Sequence, residues 1–265
     1  MIENLVLIGR QVVEVAKTTG AFIRKEASAF DRSRIENKSA FNNLVSYVDK
    51  ESELLLVEAL SKILPGSGFL AEEGADQKSI NGYQWIIDPL DGTTNFTHGF
   101  PPYAISIGLA FEGELVLGVV YEVHADECFY SWKGSPVFCN DAEVKVARTT
   151  NLKTSLLATG FPYLHGDKMD MHLSIIKELL MTTHGVRRLG SAATDLAYVA
   201  CGRLDGFFEY NLSPWDVAAG GFLIQQAGGA VTDFAGGQKW LHGGQICSGN
   251  AIQPELLRVI AQKWM

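Results

Sequence analysis

Leu5, Ile8, Val12, Val15, Thr19 and Phe22 recur at steps of three and four with charged residues between them, the period of an amphipathic helix over the first 27 positions. A polar stretch from Ser28 to Asn43, containing Lys38 and Ser39, reads as a loop. Leu54, Val57, Leu60 and Leu64 predict a second amphipathic helix after Asp49, stopped by Pro65-Gly66. The period then changes. Short apolar runs at Gly68–Ala71 and Tyr83–Ile87, bounded by Gly, Asn, Asp and Pro, read as buried strands. Ala104–Phe111 and Leu115–Val123 flank Glu112-Gly113-Glu114 as a hairpin, and Glu127–Lys133 adds a strand. Beyond residue 150 the pattern alternates. Strands are expected at Leu156–Thr159, Val186–Leu189 and Gly206–Tyr210, and helices at Met169–Met181, Ser191–Ala200, Asp216–Ala227 and Gln253–Lys263.

That order predicts a mixed α/β or α+β chain of layers in two interlocked parts, an N-terminal α+β half (1–150) and a C-terminal α/β half (151–265) forming one unit. With 265 residues, 47% of them apolar, the chain can bury a sizeable core. Its longest apolar stretches fall short of the roughly 20 residues that a membrane span requires. The N-terminal segment carries an acid at Glu3 and has no basic region or small-residue cleavage site, so a signal peptide is not expected. Cys128, Cys139, Cys201 and Cys247 are widely spaced without a C-x-x-C pair, which reads as reduced thiols in a cytoplasmic protein. Thirty acidic against 22 basic residues give a formal net charge of -8, which argues against a basic nucleic-acid grip. It also raises the question of whether some of those acids bind metal.

The most informative segment is Trp85-Ile86-Ile87-Asp88-Pro89-Leu90-Asp91-Gly92-Thr93-Thr94-Asn95-Phe96. A strand runs into two carboxylates separated by Pro-Leu, and two anions in one small volume repel unless a proton or cation intervenes. With only oxygen ligands nearby, the matching cation is a hard one such as Mg²⁺. If Thr93 opens a helix, its free amides form an anion cradle. The same residues also make good turn and helix-cap chemistry. Two further acidic spots stand at element ends. Glu72-Glu73-Gly74 follows the Gly68–Ala71 strand, and Asp216 opens a helix after Trp215.

The motifs Asp88-Pro89-Leu90-Asp91-Gly92-Thr93-Thr94-Asn95-Phe96 and Trp215-Asp216-Val217-Ala218-Ala219-Gly220, with Glu72-Glu73-Gly74 before them, resemble those of the inositol monophosphatase family of Mg²⁺-dependent, lithium-sensitive phosphatases. Gly190-Ser191-Ala192-Ala193 and Asp205-Gly206-Phe207-Phe208-Glu209 resemble the branch acting on inositol monophosphates. The resemblance runs from Asp49 to Asn250. It implies an αβαβα sandwich, the fold shared with fructose bisphosphatases, usually assembled as a homodimer. It also implies two to three Mg²⁺ ions, one held by Glu72, Asp88 and the Leu90 carbonyl, a second by Asp88, Asp91 and Asp216, and a weaker third leaning on Glu72. Thr93 with Glu72 would orient the attacking water, and Asp49 would position Thr93. The Gly92 and Thr93 amides would hold phosphate. Gly190, Ser191, Ala192 and Glu209 would lie along the inositol, with Asp91 and Asp216 near the ring.

The activity so implied is hydrolysis of myo-inositol monophosphate to inositol and phosphate. Fructose 1,6-bisphosphate or a 3'(2'),5'-bisphosphate nucleotide is the alternative substrate on the same fold. A transcription-associated, RNA-binding scaffold is the non-enzymatic alternative, for which only Arg187, Arg188 and Arg203 hint at a basic spot, so nucleic acid is not expected as a partner. Arg187 and Arg188 read as exposed charges or dimer contacts, with binding of substrate phosphate or a partner as the alternative, His98 as a rim residue, and Trp85 and Trp215 as braces for their neighbouring acids.

Overall fold

Helix α1 (Leu5–Ala27) starts where the Asn4 side chain accepts a hydrogen bond from the Leu7 amide at 3.0 Å. The computed structural model describes residues 4–31, 33, 35–37, 44–162 and 168–264. Much of the Ser28–Asn43 stretch, Lys38 and Ser39 included, lies outside them. What is described there is a short antiparallel pair, β1 (Glu36–Asn37) with β2 (Leu44–Val45). Helix α2 (Tyr47–Ile63) begins earlier than the apolar period suggested, because Ser46 and Asp49 close a capping box. The Ser46 hydroxyl accepts from the Val48 amide at 3.1 Å, and Asp49 Oδ2 accepts from the Ser46 amide at 2.8 Å.

Seven strands follow: β3 (Gly68–Ala71), β4 (Tyr83–Asp91), β5 (Ala104–Phe111), β6 (Glu114–Glu122), β7 (Glu127–Trp132), β8 (Val137–Cys139) and β9 (Ala142–Val144). They form one sheet in chain order, parallel between β3 and β4 and antiparallel thereafter. The short helix α3 (Thr93–His98) sits between β4 and β5. The β8–β9 hairpin escaped the sequence reading because its strands have three residues each. Its signal is the Asn140-Asp141 turn, with φ of 44° and 68°.

The rest of the chain comprises β10 (Leu156–Thr159), α4 (Lys168–Thr182), β11 (Gly185–Arg187), α5 (Ala192–Ala200), β12 (Gly206–Tyr210), α6 (Pro214–Gln226), β13 (Ala230–Thr232), β14 (Gln245–Gly249) and α7 (Gln253–Lys263). Its sheet has the order β11-β10-β12-β14-β13, with β10 parallel to both neighbours and β14 antiparallel to its own. Strands β13 and β14 were missed; short runs between glycine-rich segments give little periodicity.

The layers stack as α1/α2, seven-stranded sheet, α5/α6, five-stranded sheet, α4/α7. Val12, Leu56, Leu60, Trp85, Ile87 and Tyr121 fill the first interface, while Leu196, Val199, Phe207, Leu223 and Ile246 fill the middle. Ile175, Leu179, Phe208, Leu256 and Ile260 close the far side. Helix α6 is apolar on every side from Val217 to Ile224, as a helix between two sheets must be. It lies so close to the first sheet that a Cβ on Gly118 would stand 2.8 Å from the Ala219 carbonyl oxygen. That close fit fixes where Asp216, in the first turn of α6, meets the end of β4. No helix among the described residues is long and apolar enough to cross a membrane, and all four cysteines are free thiols.

Candidate active site

Asp88 and Asp91 are expected to straddle a turn after a strand ending at Ile87. Instead β4 runs on through Asp91, and the register with β5 shifts between them. Asp88 pairs with Ser106 and Asp91 with Ala104, so three steps on one strand oppose two on the other. Residues three apart on a regular strand point to opposite faces, and the extra residue brings both acids to the same face. Pro89, which has no amide to donate, sits in this bulge, and the Leu90 amide donates to Asp88 Oδ1 at 2.9 Å. By alternation Asp88 shares its face with Ile86, which packs against Ala218 of α6. One oxygen each from Asp88, Asp91 and Asp216 consequently lie within 4.8 Å of one another.

Asp91 is oriented from the other half of the protein. Its Oδ2 accepts from the Ser191 hydroxyl at 2.6 Å and from the Ala193 amide at 2.7 Å, both at the start of α5. Ser191 also accepts from the Thr194 amide at 3.2 Å as the helix N-cap. Asp216 Oδ2 accepts from the Ser213 amide at 2.6 Å. The Ser106 hydroxyl donates to the Trp215 carbonyl at 2.9 Å, tying the base of α6 to β5. The other tryptophan expected to brace an acid, Trp85, is fully buried and donates to the Ser67 hydroxyl at 2.9 Å.

These acids line a cavity of about 280 Å³, shared with Glu72, Gly92, Thr93, Gly190, Ala192 and Glu209. Glu72 faces the same space but stands outside the tight group of three. The loop that carries it is held by Glu53, whose carboxylate accepts from the Glu73 amide at 2.8 Å and the Ala75 amide at 3.0 Å. Glu53 is buried and was missed by the sequence reading, since an acid inside an amphipathic helix looks like surface. Asp49 lies behind Thr93 rather than in the cavity; its Oδ1 accepts from the Thr93 hydroxyl at 2.7 Å. Gly92 opens α3 at φ +91°, and a Cβ there would stand 3.1 Å from the carbonyl oxygens of Gly190 and Pro102.

Burial first, then repulsion from Glu72, Asp91 and Asp216, pushes Asp88 well above the ordinary carboxylate range. Burial and repulsion from Asp91 and Glu72 do the same to Asp216. Asp91 is raised to about 6, chiefly by burial, with the Ser191 and Ala193 hydrogen bonds pulling the other way. Glu209 is raised to about 8 by burial and by Asp91, against Arg188. Arg188 is exposed, as expected, yet it also lines the cavity and offsets Asp91, Asp195 and Glu209. Asp195, buried in the first turn of α5, is a cavity acid that sequence reading passed over. His98 is exposed at the end of α3 and is not among the residues lining the cavity.

Fold and site together define an αβαβα protein with an acidic cavity, its clustered ligand groups all carboxylates among the described residues, where the middle helices meet the end of β4. Residues 8–265 match the inositol monophosphatase family, and the chain belongs to it. Family membership makes it a phosphatase. It is 42% identical over 250 residues to the "Putative Nus factor SuhB" of Neisseria meningitidis serogroup B, covering 94% of this chain and 95% of that protein. It is 41% identical over 251 residues to the inositol-1-monophosphatase of Mesorhizobium japonicum, covering 94% of each. The solved extragenic suppressor protein SuhB of Bartonella henselae superposes with a TM-score of 0.89 at 37% identity, over 95% of this chain and 97% of that one.

Proposed function

We propose that this phosphatase is a Mg²⁺-dependent phosphomonoesterase that hydrolyses a myo-inositol monophosphate to inositol and phosphate. The supporting observation is the bulge in β4, which sets Asp88 and Asp91 on one face, with an Asp216 oxygen within 4.8 Å. Four acids raised or crowded by one another, with oxygen donors only, suit hard cations. Glu72, Asp88, Asp91, Asp216 and the Leu90 carbonyl would hold two to three Mg²⁺, which when bound neutralise phosphoryl charge and acidify water. The side chains assign the remaining work. Thr93 gives its hydroxyl proton to Asp49 Oδ1, so its lone pairs are left to accept a hydrogen bond from the attacking water. Glu72 takes part in orienting that water and accepts its proton. The first-turn amides of Gly92 and Thr93 hold the phosphate. Ala192 and Glu209 bound the space for the alcohol, and Ser191 acts on it through Asp91.

Fructose 1,6-bisphosphate and 3'-phosphoadenosine nucleotides are the competing substrates. Among the described residues Arg188 is the one basic residue lining the cavity, few for a second phosphate. Phosphate release from a panel of the three settles the choice; preference for either bisphosphate over inositol 1-phosphate would reverse it. The same reading includes lithium sensitivity, a homodimer and, on the four free thiols, a cytoplasmic setting.

The Nus factor name of the Neisseria relative supports a second, transcription-associated role and weighs against reading net charge -8 as an argument against nucleic acid. Capture of transcription components by Asp91→Asn protein tests it, since scaffolding should survive the loss of catalysis.

A further inference from the structure

Asn95 is the third residue of α3 and is buried. Both hydrogens of its amide nitrogen go to backbone: Nδ2 donates to the Pro102 carbonyl and to the Leu189 carbonyl, each at 2.8 Å. Pro102 leads into β5, whereas Leu189 belongs to the link between β11 and α5, 94 positions from Asn95. One carboxamide therefore joins the seven-stranded sheet's side of the cavity to the C-terminal half. The fit is tight. Gly190 adopts φ +95°, and a Cβ there would come within 2.8 and 2.9 Å of the Asn95 amide nitrogen and oxygen.

A second bridge stands four residues upstream, where Asp91 Oδ2 accepts from the Ser191 hydroxyl at 2.6 Å and the Ala193 amide at 2.7 Å. The stretch from Asp91 to Asn95 is thus fastened at both ends to the stretch from Leu189 to Ala193. One point of attachment lets a rigid element pivot, and two points fix its direction. Direction matters here, because Asp91 must also keep an oxygen within 4.8 Å of those of Asp88 and Asp216. A neutral carboxamide suits the second point. It supplies two donors from one atom and adds no charge to a cavity already crowded with acids.

We propose that Asn95 is a positioning residue for Asp91: by clamping the link before α5 onto α3, it fixes the direction from which Ser191 and Ala193 hold the Asp91 carboxylate. The inference rests on the phosphomonoesterase reading above, in which Asp91 serves the cations. A purely structural pair of hydrogen bonds would affect stability alone, whereas a clamp on Asp91 also affects turnover of the folded protein.

The test compares wild type with Asn95→Ala and with Asn95→Asp, which keeps the shape but has no donor when ionised. Leu179→Ala is the stability control. It truncates a buried side chain of α4 that does not line the cavity, and it should lower the melting temperature at least as far. All four are assayed below every melting transition. At saturating Mg²⁺ both Asn95 variants should lose about 10- to 100-fold in kcat for myo-inositol 1-phosphate, with KM within about threefold of wild type. Half-saturation by Mg²⁺ should move to higher concentration, and Leu179→Ala should keep kcat within about twofold. In a chelator, amide hydrogen exchange of peptides spanning residues 188–194 should be faster in the Asn95 variants than in wild type or Leu179→Ala. Unchanged exchange, faster exchange with wild-type kcat, or an equal fall of kcat in Leu179→Ala would each overturn the positioning role. A wild type without Mg²⁺-dependent phosphate release, whose Asn95 variants still show the faster exchange, would instead overturn the phosphomonoesterase reading.

Discussion

The Thr93 hydroxyl stands 2.7 Å from Asp49 Oδ1, across 44 positions of sequence, and Asp49 itself is fully buried. The other carboxylate oxygen takes the Ser46 amide at 2.8 Å and the Ser46 hydroxyl at 2.6 Å. Asp49 is thus held by three donors, and at 2.7 Å it is the nearer acceptor for the Thr93 proton, the Leu90 carbonyl standing 3.1 Å from the same hydroxyl. A residue that looks like a plain helix cap consequently positions the hydroxyl that the proposed function assigns to the attacking water.

Thr93→Val removes the hydroxyl with little change of shape. We expect kcat to fall about 100-fold or more while KM stays near wild type, since orienting one reacting group is typically worth about that much. Phosphate-release kinetics check this, and a kcat within a few-fold of wild type would remove Thr93 from the mechanism.

Asp91→Asn should fold normally, because a carboxamide oxygen can still accept from Ser191 and Ala193. It should lose Mg²⁺-dependent turnover by at least about 1000-fold, as loss of a charged transition-state contact does. The rise in melting temperature on adding Mg²⁺ should shrink with it. Near-normal turnover would sink the metal assignment.

Glu53→Ala leaves the Glu73 and Ala75 amides without their acceptor. Both amides are only partly buried, so the loss is about 0.5–1.5 kcal/mol for each hydrogen bond and the variant should melt a few degrees lower. Because the loop carries Glu72, half-saturation by Mg²⁺ should also move to higher concentration. A Mg²⁺ titration of activity identical to wild type would make Glu53 a purely structural residue.

Gly118→Ala places a methyl 2.8 Å from the Ala219 carbonyl oxygen. Overpacking of this kind costs about 1–3 kcal/mol. The displaced helix is the one that carries Asp216, so kcat should fall together with stability. Thermal melts and kinetics on the same sample read both effects.

The pH dependence of the metal-free protein follows from Asp91 at about 6 and Glu209 at about 8. Unfolded carboxyls titrate near about 4, so between about pH 4 and 8 the folded chain binds more protons than the unfolded one. Their contribution is fully present below that window and is lost as pH rises through about 6 for Asp91 and about 8 for Glu209. In a chelator the melting temperature should therefore drop from about pH 5 to about pH 8. Added Mg²⁺ should raise it more at the higher pH, where protons compete least. A flat profile in the chelator would contradict these shifts.

The sequence by itself determined most of the elements and the family. Alternation and breakers located β3, β5, β10, β12 and α7 to the residue, because each is a regular run between strong stop signals. The acids at Asp88, Asp91 and Asp216 were legible from their place at element ends, and their family motifs named the reaction class. Tertiary structure decided what local pattern cannot hold. The bulge that turns Asp88 and Asp91 to one face depends on pairing with β5, and Asp216 reaches them only because Gly118 lets α6 settle on the sheet. Glu53 and Asp195 were invisible for the same reason. An acid's meaning depends on whether a distant segment buries it, and burial is a property of the packed layers, not of the neighbouring residues along the chain.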